Sequence, residues 1–160
     1  EKNNIEHKDI NTRATYFNSI LWSAQIELED SYMFTYYSLF DKSMPVFTKK
    51  FAKNHDMLKP IINEKQIQQL IILSNGHYIM SNENDELIFW NLKLGQKGFD
   101  KNASPYIWSY IIEKNNKEQI QLDETNEKMD AVKVKEIRSF RNNRKYSEEF
   151  SKFYERLKGI

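Results

Sequence analysis

Apolar and polar positions alternate with a period of two through most of this chain. From Ile20 to Glu29, the apolar set Ile20, Trp22, Ala24, Ile26 and Leu28 interleaves with Leu21, Ser23, Gln25 and Glu27, which predicts a strand with one apolar face. Glu29-Asp30-Ser31 forms the expected turn. Tyr32, Phe34, Tyr36 and Ser38 then alternate with Met33, Thr35, Tyr37 and Leu39, a strand with aromatics on both faces. Asp41-Lys42-Ser43 ends it, and Val46, Phe47 and Phe51 suggest a third strand opened by Pro45. The stretch from Tyr16 to Asp41 therefore reads as one long hairpin.

The period changes at Asn63. Ile67, Leu70, Ile71 and Ser74 share one helical face, Asn63 can cap it with Gln66 three residues on, and Gly76 fits the left-handed stop. A helix is predicted over residues 63–75. Two strands follow, His77–Ser81 and Glu86–Leu94, joined by Asn82-Glu83-Asn84-Asp85. Pro105 opens a further strand to about Glu113, with Tyr106, Trp108, Tyr110 and Ile112 on one face. Ile120 and Leu122 suggest one more short strand. The stretch from Val132 to Leu157 is read as helical, interrupted at Asn142-Asn143, with Ser147 as the cap of its last piece. Phe150, Phe153, Tyr154 and Leu157 form a stripe there. The expected architecture is α+β: an antiparallel sheet of about five to six strands, with a middle helix (63–75) and a C-terminal helical segment packed on it. The expected organisation is a lead-in over 1–12, a core over 13–124 and a basic helical tail over 125–160.

At 160 residues the chain has the length of one domain and can bury a core without staples. It has no cysteine, which removes disulfides, thiolate metal sites and a Cys nucleophile. Only four glycines are present, too few for a phosphate-cradling loop at any recognisable spacing. The longest strongly apolar run is Leu70–Leu73, far short of the about 20 residues of a membrane span. The absence of a starting Met suggests a fragment or processed product. Net charge is +1, but unevenly placed: residues 1–124 hold 14 Lys/Arg against 17 Asp/Glu, residues 125–160 hold 10 against 6.

Candidate chemistry is thin. His7, His55 and His77 have no ligand spacing, and Asn54-His55-Asp56 reads as a solvated loop. Glu27, Glu29 and Asp30 could supply paired carboxylates, but sit where a strand meets solvent near a turn. Asp41 reads as an Asx-turn carboxylate that bonds backbone N–H groups of the following turn. There is no G-x-S-x-G, Walker or Rossmann pattern. No catalytic, cofactor-binding or metal-ligating residue is assigned. Tyr36, Tyr37, Trp90, Trp108 and Tyr110 are the candidates for an aromatic pocket or partner surface. Arg138, Arg141, Arg144 and Lys145 are the candidates for contact with an anionic surface, with Phe140 and Tyr146 interleaved. A helix that turns Val134, Ile137 and Phe140 to the core explains the same tail without nucleic acid, which is the weaker expectation.

Four segments in order carry a family resemblance: LWSAQIELEDSYMFTYYSLFD at Leu21–Asp41, KNHDMLKP at Lys53–Pro60, LIILSNGHYIM at Leu70–Met80 and LIFWNLKLG at Leu87–Gly95. Together they resemble the soluble C-terminal region of the YdjM-type family. Those are bacterial inner-membrane proteins described as LexA-binding, membrane-bound metal-dependent hydrolases. The similarity spans about Tyr16–Ile112. Thr35 stands where the family has glycine, and the tail beyond Asp123 has no counterpart. The family's transmembrane helices and His/Asp motifs lie N-terminal to the matching region, so the resemblance implies no catalytic residue here. It implies an accessory domain whose partner is the transmembrane part of its parent. Any divalent metal would belong to that part. The other reading of the residues is a self-contained module with an aromatic-lined pocket for an apolar or lipid ligand.

Overall fold

The hairpin read from the sequence is the centre of the first of two sheets. The computed structural model describes residues 6–15, 19–42, 50–93, 95, 108–114, 132–138 and 146–159. Strand β2 (Leu21–Glu27) pairs antiparallel with β3 (Ser31–Ser38), and the N–H of Leu28 donates to the Ser31 carbonyl at 2.9 Å to close the turn. β1 (Asp9–Ala14) adds to the outer side of β2, and the two-residue β4 (Phe51–Ala52) to the outer side of β3. The C-terminal helix α2 (Tyr146–Leu157) belongs to the same compact unit.

The second unit takes the chain from Asn54. It opens with a 3-10 helix (His55–Ile61) and continues through α1 (Lys65–Leu73) to a second antiparallel sheet. That sheet is a meander of β5 (Tyr78–Glu83), β6 (Glu86–Asn91), β7 (Trp108–Lys114) and β8 (Val132–Arg138). Asn84 and Asp85 both take positive φ, 52° and 65°, which gives the tight two-residue turn whose twist matches a hairpin. One face, carrying Tyr78, Met80, Phe89, Ile112 and Val132, forms the core with Leu58, Ile67 and Leu70 from the helices.

The α+β class therefore holds, but one sheet of five to six strands does not. Among the described residues there are eight strands in two four-stranded sheets. The segment from His55 to Leu73 is helical throughout its two elements, so the second hairpin starts a new sheet instead of extending the first. Three further expectations change. Residues 132–138, expected as helix, are strand β8. Val132 and Val134 alternate with Lys133 and Lys135, and the valines face the core while the lysines are exposed. β1 opens at Asp9, inside the stretch expected as lead-in. Its residues are almost all exposed, so no apolar face announces it. Trp22, expected on a buried face, is exposed, while its neighbour Leu21 is fully buried.

The middle helix lies inside its expected range. Gly76 has φ of 77° and its N–H donates to the Ile71 carbonyl at 3.0 Å, the left-handed stop expected there. The start differs: Glu64, in extended conformation, is the cap residue, and no side chain caps the helix. Gln66 instead accepts the Val134 N–H at 2.9 Å, which satisfies a donor of edge strand β8. The expected strands around Val46–Phe47 and Ile120–Leu122, and the start of the strand at Pro105, lie outside the described residues.

Candidate functional site

Asp41 lies in the turn after β3, and its carboxylate is held by three hydrogen bonds. Its Oδ2 accepts the Ser38 N–H at 2.8 Å. Both its oxygens accept from the Arg156 guanidinium, at 2.5 Å each, and Arg156 also donates to the Tyr36 carbonyl at 2.8 Å. Ser38 Oγ accepts the Phe40 N–H at 3.2 Å and donates to the Leu157 carbonyl at 2.7 Å. Asp41 thus bonds an N–H three residues before it, and not one of the following turn as expected, and the last turn of α2 is bolted to it. The Arg156 hydrogen bonds hold the Asp41 carboxyl below the usual carboxylate range. Burial pushes it the other way, and the Ser38 N–H adds to the lowering. A carboxylate held ionised by a forked guanidinium is a poor proton donor or acceptor near neutral pH.

The other carboxylates near the hairpin are similarly spent. Lys53 Nζ meets Glu27 Oε1 at 2.7 Å and the Glu29 carbonyl at 3.1 Å, and lies 5.1 Å from the Tyr32 ring centroid. Glu29 pairs with Lys8 in solvent, and Asp30 accepts from Ser31 Oγ. Asn54 and Asp56 are exposed as expected, but His55 and Asp56 begin the 3-10 helix, and Asn54 and His55 clip it to β5. Asn54, at φ 50°, donates through Nδ2 to the Met80 carbonyl at 3.0 Å. His55 Nε2 lies 2.8 Å from the Tyr78 carbonyl, so that nitrogen carries the proton. The His55 ring stacks on Tyr78 with centroids 4.0 Å apart, Tyr78 stacks on Phe89 at 4.6 Å, and Phe89 meets Tyr110 edge-on at 6.4 Å. The column fastens the 3-10 helix to β5 and β6. Asp56 pairs with exposed Lys59. Among the described residues no three His, Asp or Glu come together in a way that could hold a metal ion.

The five aromatics named from sequence do not share one surface. Tyr36 and Tyr37 are consecutive in β3 and point to opposite faces. Burial pushes the Tyr36 phenol up to about 12, with Arg13 pulling the other way. Trp90 pairs with Ser109, while Trp108 and Tyr110 lie on the opposite face of that sheet. Trp90 donates through Nε1 to Ser81 Oγ at 2.7 Å. Arg138 ends β8, and Arg141, Arg144 and Lys145 lie outside the described residues.

A depression of about 570 Å³ does exist in the second unit, but elsewhere. Its apolar lining is Met57, Pro60, Ile61, Leu87, Ile111 and Ile112, and its polar lining is Asn82, Asp85, Glu86 and Glu113. It contains none of the five aromatics. Its Met57 and Pro60 come from KNHDMLKP, whose apolar residues carried no site expectation.

No helix among the described residues is long and apolar enough to cross a membrane. Compared with protein-family models, with curated proteins and with solved structures, the chain finds no match in any of the three.

Proposed function

We propose that this chain is the accessory α+β part of a membrane-anchored metal-dependent hydrolase of the YdjM type, and that it binds and stabilises while catalysis resides in the parent's transmembrane part. The observation that supports this most is the use made of Asp41. It closes the family-like segment YYSLFD, and it is committed to Arg156 and the Ser38 N–H instead of standing open to a substrate. The other family-like segments likewise serve as strand, clip and helix stop. A divalent metal of the parent would be held outside the described residues, since their donors do not converge. The parent would be an inner-membrane protein.

Elemental analysis and hydrolase assays on the purified chain test this. The expected result is less than stoichiometric metal and no turnover of ester or phosphoester substrates. One tightly bound zinc per chain, or turnover lost in Glu27→Gln, would overturn it. The sequence preceding Glu1 in the parent gene should encode several apolar spans carrying His and Asp.

A second reading, a module for an apolar ligand, is supported by the aliphatic depression beside the 3-10 helix. Native mass spectrometry of the purified chain should then show a copurified lipid that Ile61→Asp releases; a single apo mass would sink it.

A further inference from the structure

Tight turns normally carry Gly, Asn, Asp, Ser or Pro at their apex, because those residues meet the backbone geometry and tolerate solvent. The turn after β3 breaks that rule. The Asp41 N–H donates to the Ser38 carbonyl at 2.9 Å, which puts Leu39 and Phe40 at the two central positions. Both are large, apolar and open to solvent, at 60% and 57% exposure. The turn is also held from every side. Ser38 and Asp41 bond its backbone, Arg156 grips Asp41, and Gly159 comes so close that a Cβ there would lie 2.6 Å from the Phe40 carbonyl oxygen. Partly buried polar groups thus hold two apolar side chains out in water. Core packing does not require that.

The apex continues into the sheet. The Leu39 N–H donates to the Ile20 carbonyl, one step beyond the ladder. Next comes the cross-strand row Ala14–Trp22–Tyr37, one residue from each of β1, β2 and β3 on one face. Trp22 and Tyr37 are themselves 41% and 38% exposed. Two exposed lysines flank the turn: Lys42 follows it, and Lys158 adjoins Gly159, with its Nζ 4.7 Å from the Tyr154 ring centroid and Glu155 as a neighbouring acid. The carboxylate at the apex, Asp41, is already neutralised by Arg156.

We propose that this end of the first unit docks on the surface of an anionic lipid bilayer. Leu39 and Phe40 enter between the headgroups, Trp22 and Tyr37 lie at the headgroup level, and Lys42 and Lys158 meet lipid phosphates. Trp and Tyr favour that depth because each has an apolar body and a polar edge. Lysines beside an inserted apolar tip add attraction to an anionic leaflet. The proposal goes beyond the accessory-domain reading and stands whether or not the parent is a hydrolase.

The test is cosedimentation of the purified chain with phosphatidylcholine vesicles made with and without phosphatidylglycerol. Binding is expected to the anionic vesicles, weakened by salt, and about tenfold or more weaker in Leu39→Ser/Phe40→Ser. Brominated lipid should quench emission in the wild-type chain and quench much less in Trp22→Phe. Ile72→Ser, which alters an exposed apolar residue of the second unit, should bind as wild type. Circular dichroism and the urea midpoint of each variant separate loss of binding from loss of fold. No binding by the folded wild-type chain overturns the proposal, and so does full binding by folded Leu39→Ser/Phe40→Ser. A dimer that this variant dissolves, with no vesicle binding, would assign the surface to a second copy and also overturn it.

Discussion

Arg156 and Asp41 are 115 positions apart in sequence and meet as a two-oxygen, two-nitrogen fork, at 2.5 Å on each arm. The third contact of the guanidinium, to the Tyr36 carbonyl, fixes its plane against β3. The pair joins the end of the aromatic hairpin to the end of the chain. The Asp41 side chain is only 9% exposed, so its charge depends on that partner.

Arg156→Ala should cost about 2–4 kcal/mol, because it leaves a largely buried carboxylate with one backbone donor. Arg156→Lys should recover only part of this, since an ammonium cannot fork across both oxygens and the Tyr36 carbonyl. Urea denaturation gives the size of the loss. Hydrogen exchange should place it at α2 and the turn after β3; unchanged protection there would contradict the clamp.

The same pair sets an acid limit. The Asp41 pKa is lower in the fold than in the unfolded chain, where it is near 3.9. Its contribution is therefore complete above the unfolded value and is lost as pH falls through the folded one. Stability should decline below about pH 4–5, and Asp41→Asn, weaker at neutral pH, should decline less over that range. Urea midpoints between pH 7 and pH 3 compare the two.

Tyr36 sets a limit at the other end. Its phenol is pushed up to about 12, so the neutral form is the one the fold favours. The unfolded chain ionises first, near pH 10, and stability should fall from there toward pH 12 by on the order of 2 kcal/mol. Tyr36→Phe should flatten that alkaline decline. An absorbance titration at the phenolate band should show late-titrating tyrosines, of which the Tyr36 contribution disappears in the variant while that of Tyr78, also raised by burial, remains.

Gly159 has φ of 78° and lies against the Phe40 carbonyl. An alanine there meets both a disfavoured backbone region and a clash, so Gly159→Ala should cost about 1–3 kcal/mol. Gly76 also has positive φ but has open space around it, so Gly76→Ala should cost only the backbone part, about 1 kcal/mol. Thermal melts of the two variants measure the difference.

The aromatic hairpin, α1 and the Gly76 stop were legible because each is a local matter of periodicity or φ. β8 was legible in principle: the Val132-Lys133-Val134-Lys135 alternation is a strand signal, outweighed by helix-forming residues around it. β1 was not, since an exposed edge strand has no apolar face to show. Asp41 was half legible. Its turn role follows from its place after a strand, whereas Arg156 lies among many basic residues of the tail with nothing to single it out. The clip made by His55 was not legible because its stacking partner, Tyr78, is 23 residues away and reached only through the fold.

By itself the sequence determined the α+β class, the aromatic hairpin and α1, and a composition with no cysteine. Those follow from residue type and short-range spacing. The tertiary structure decided how the strands divide into two sheets. It also decided which charges are spent on structure, and that Trp22, Tyr37, Leu39 and Phe40 share an exposed end. Strand partnership, ion pairing and exposure depend on contacts between distant positions, and many such arrangements satisfy one and the same local pattern.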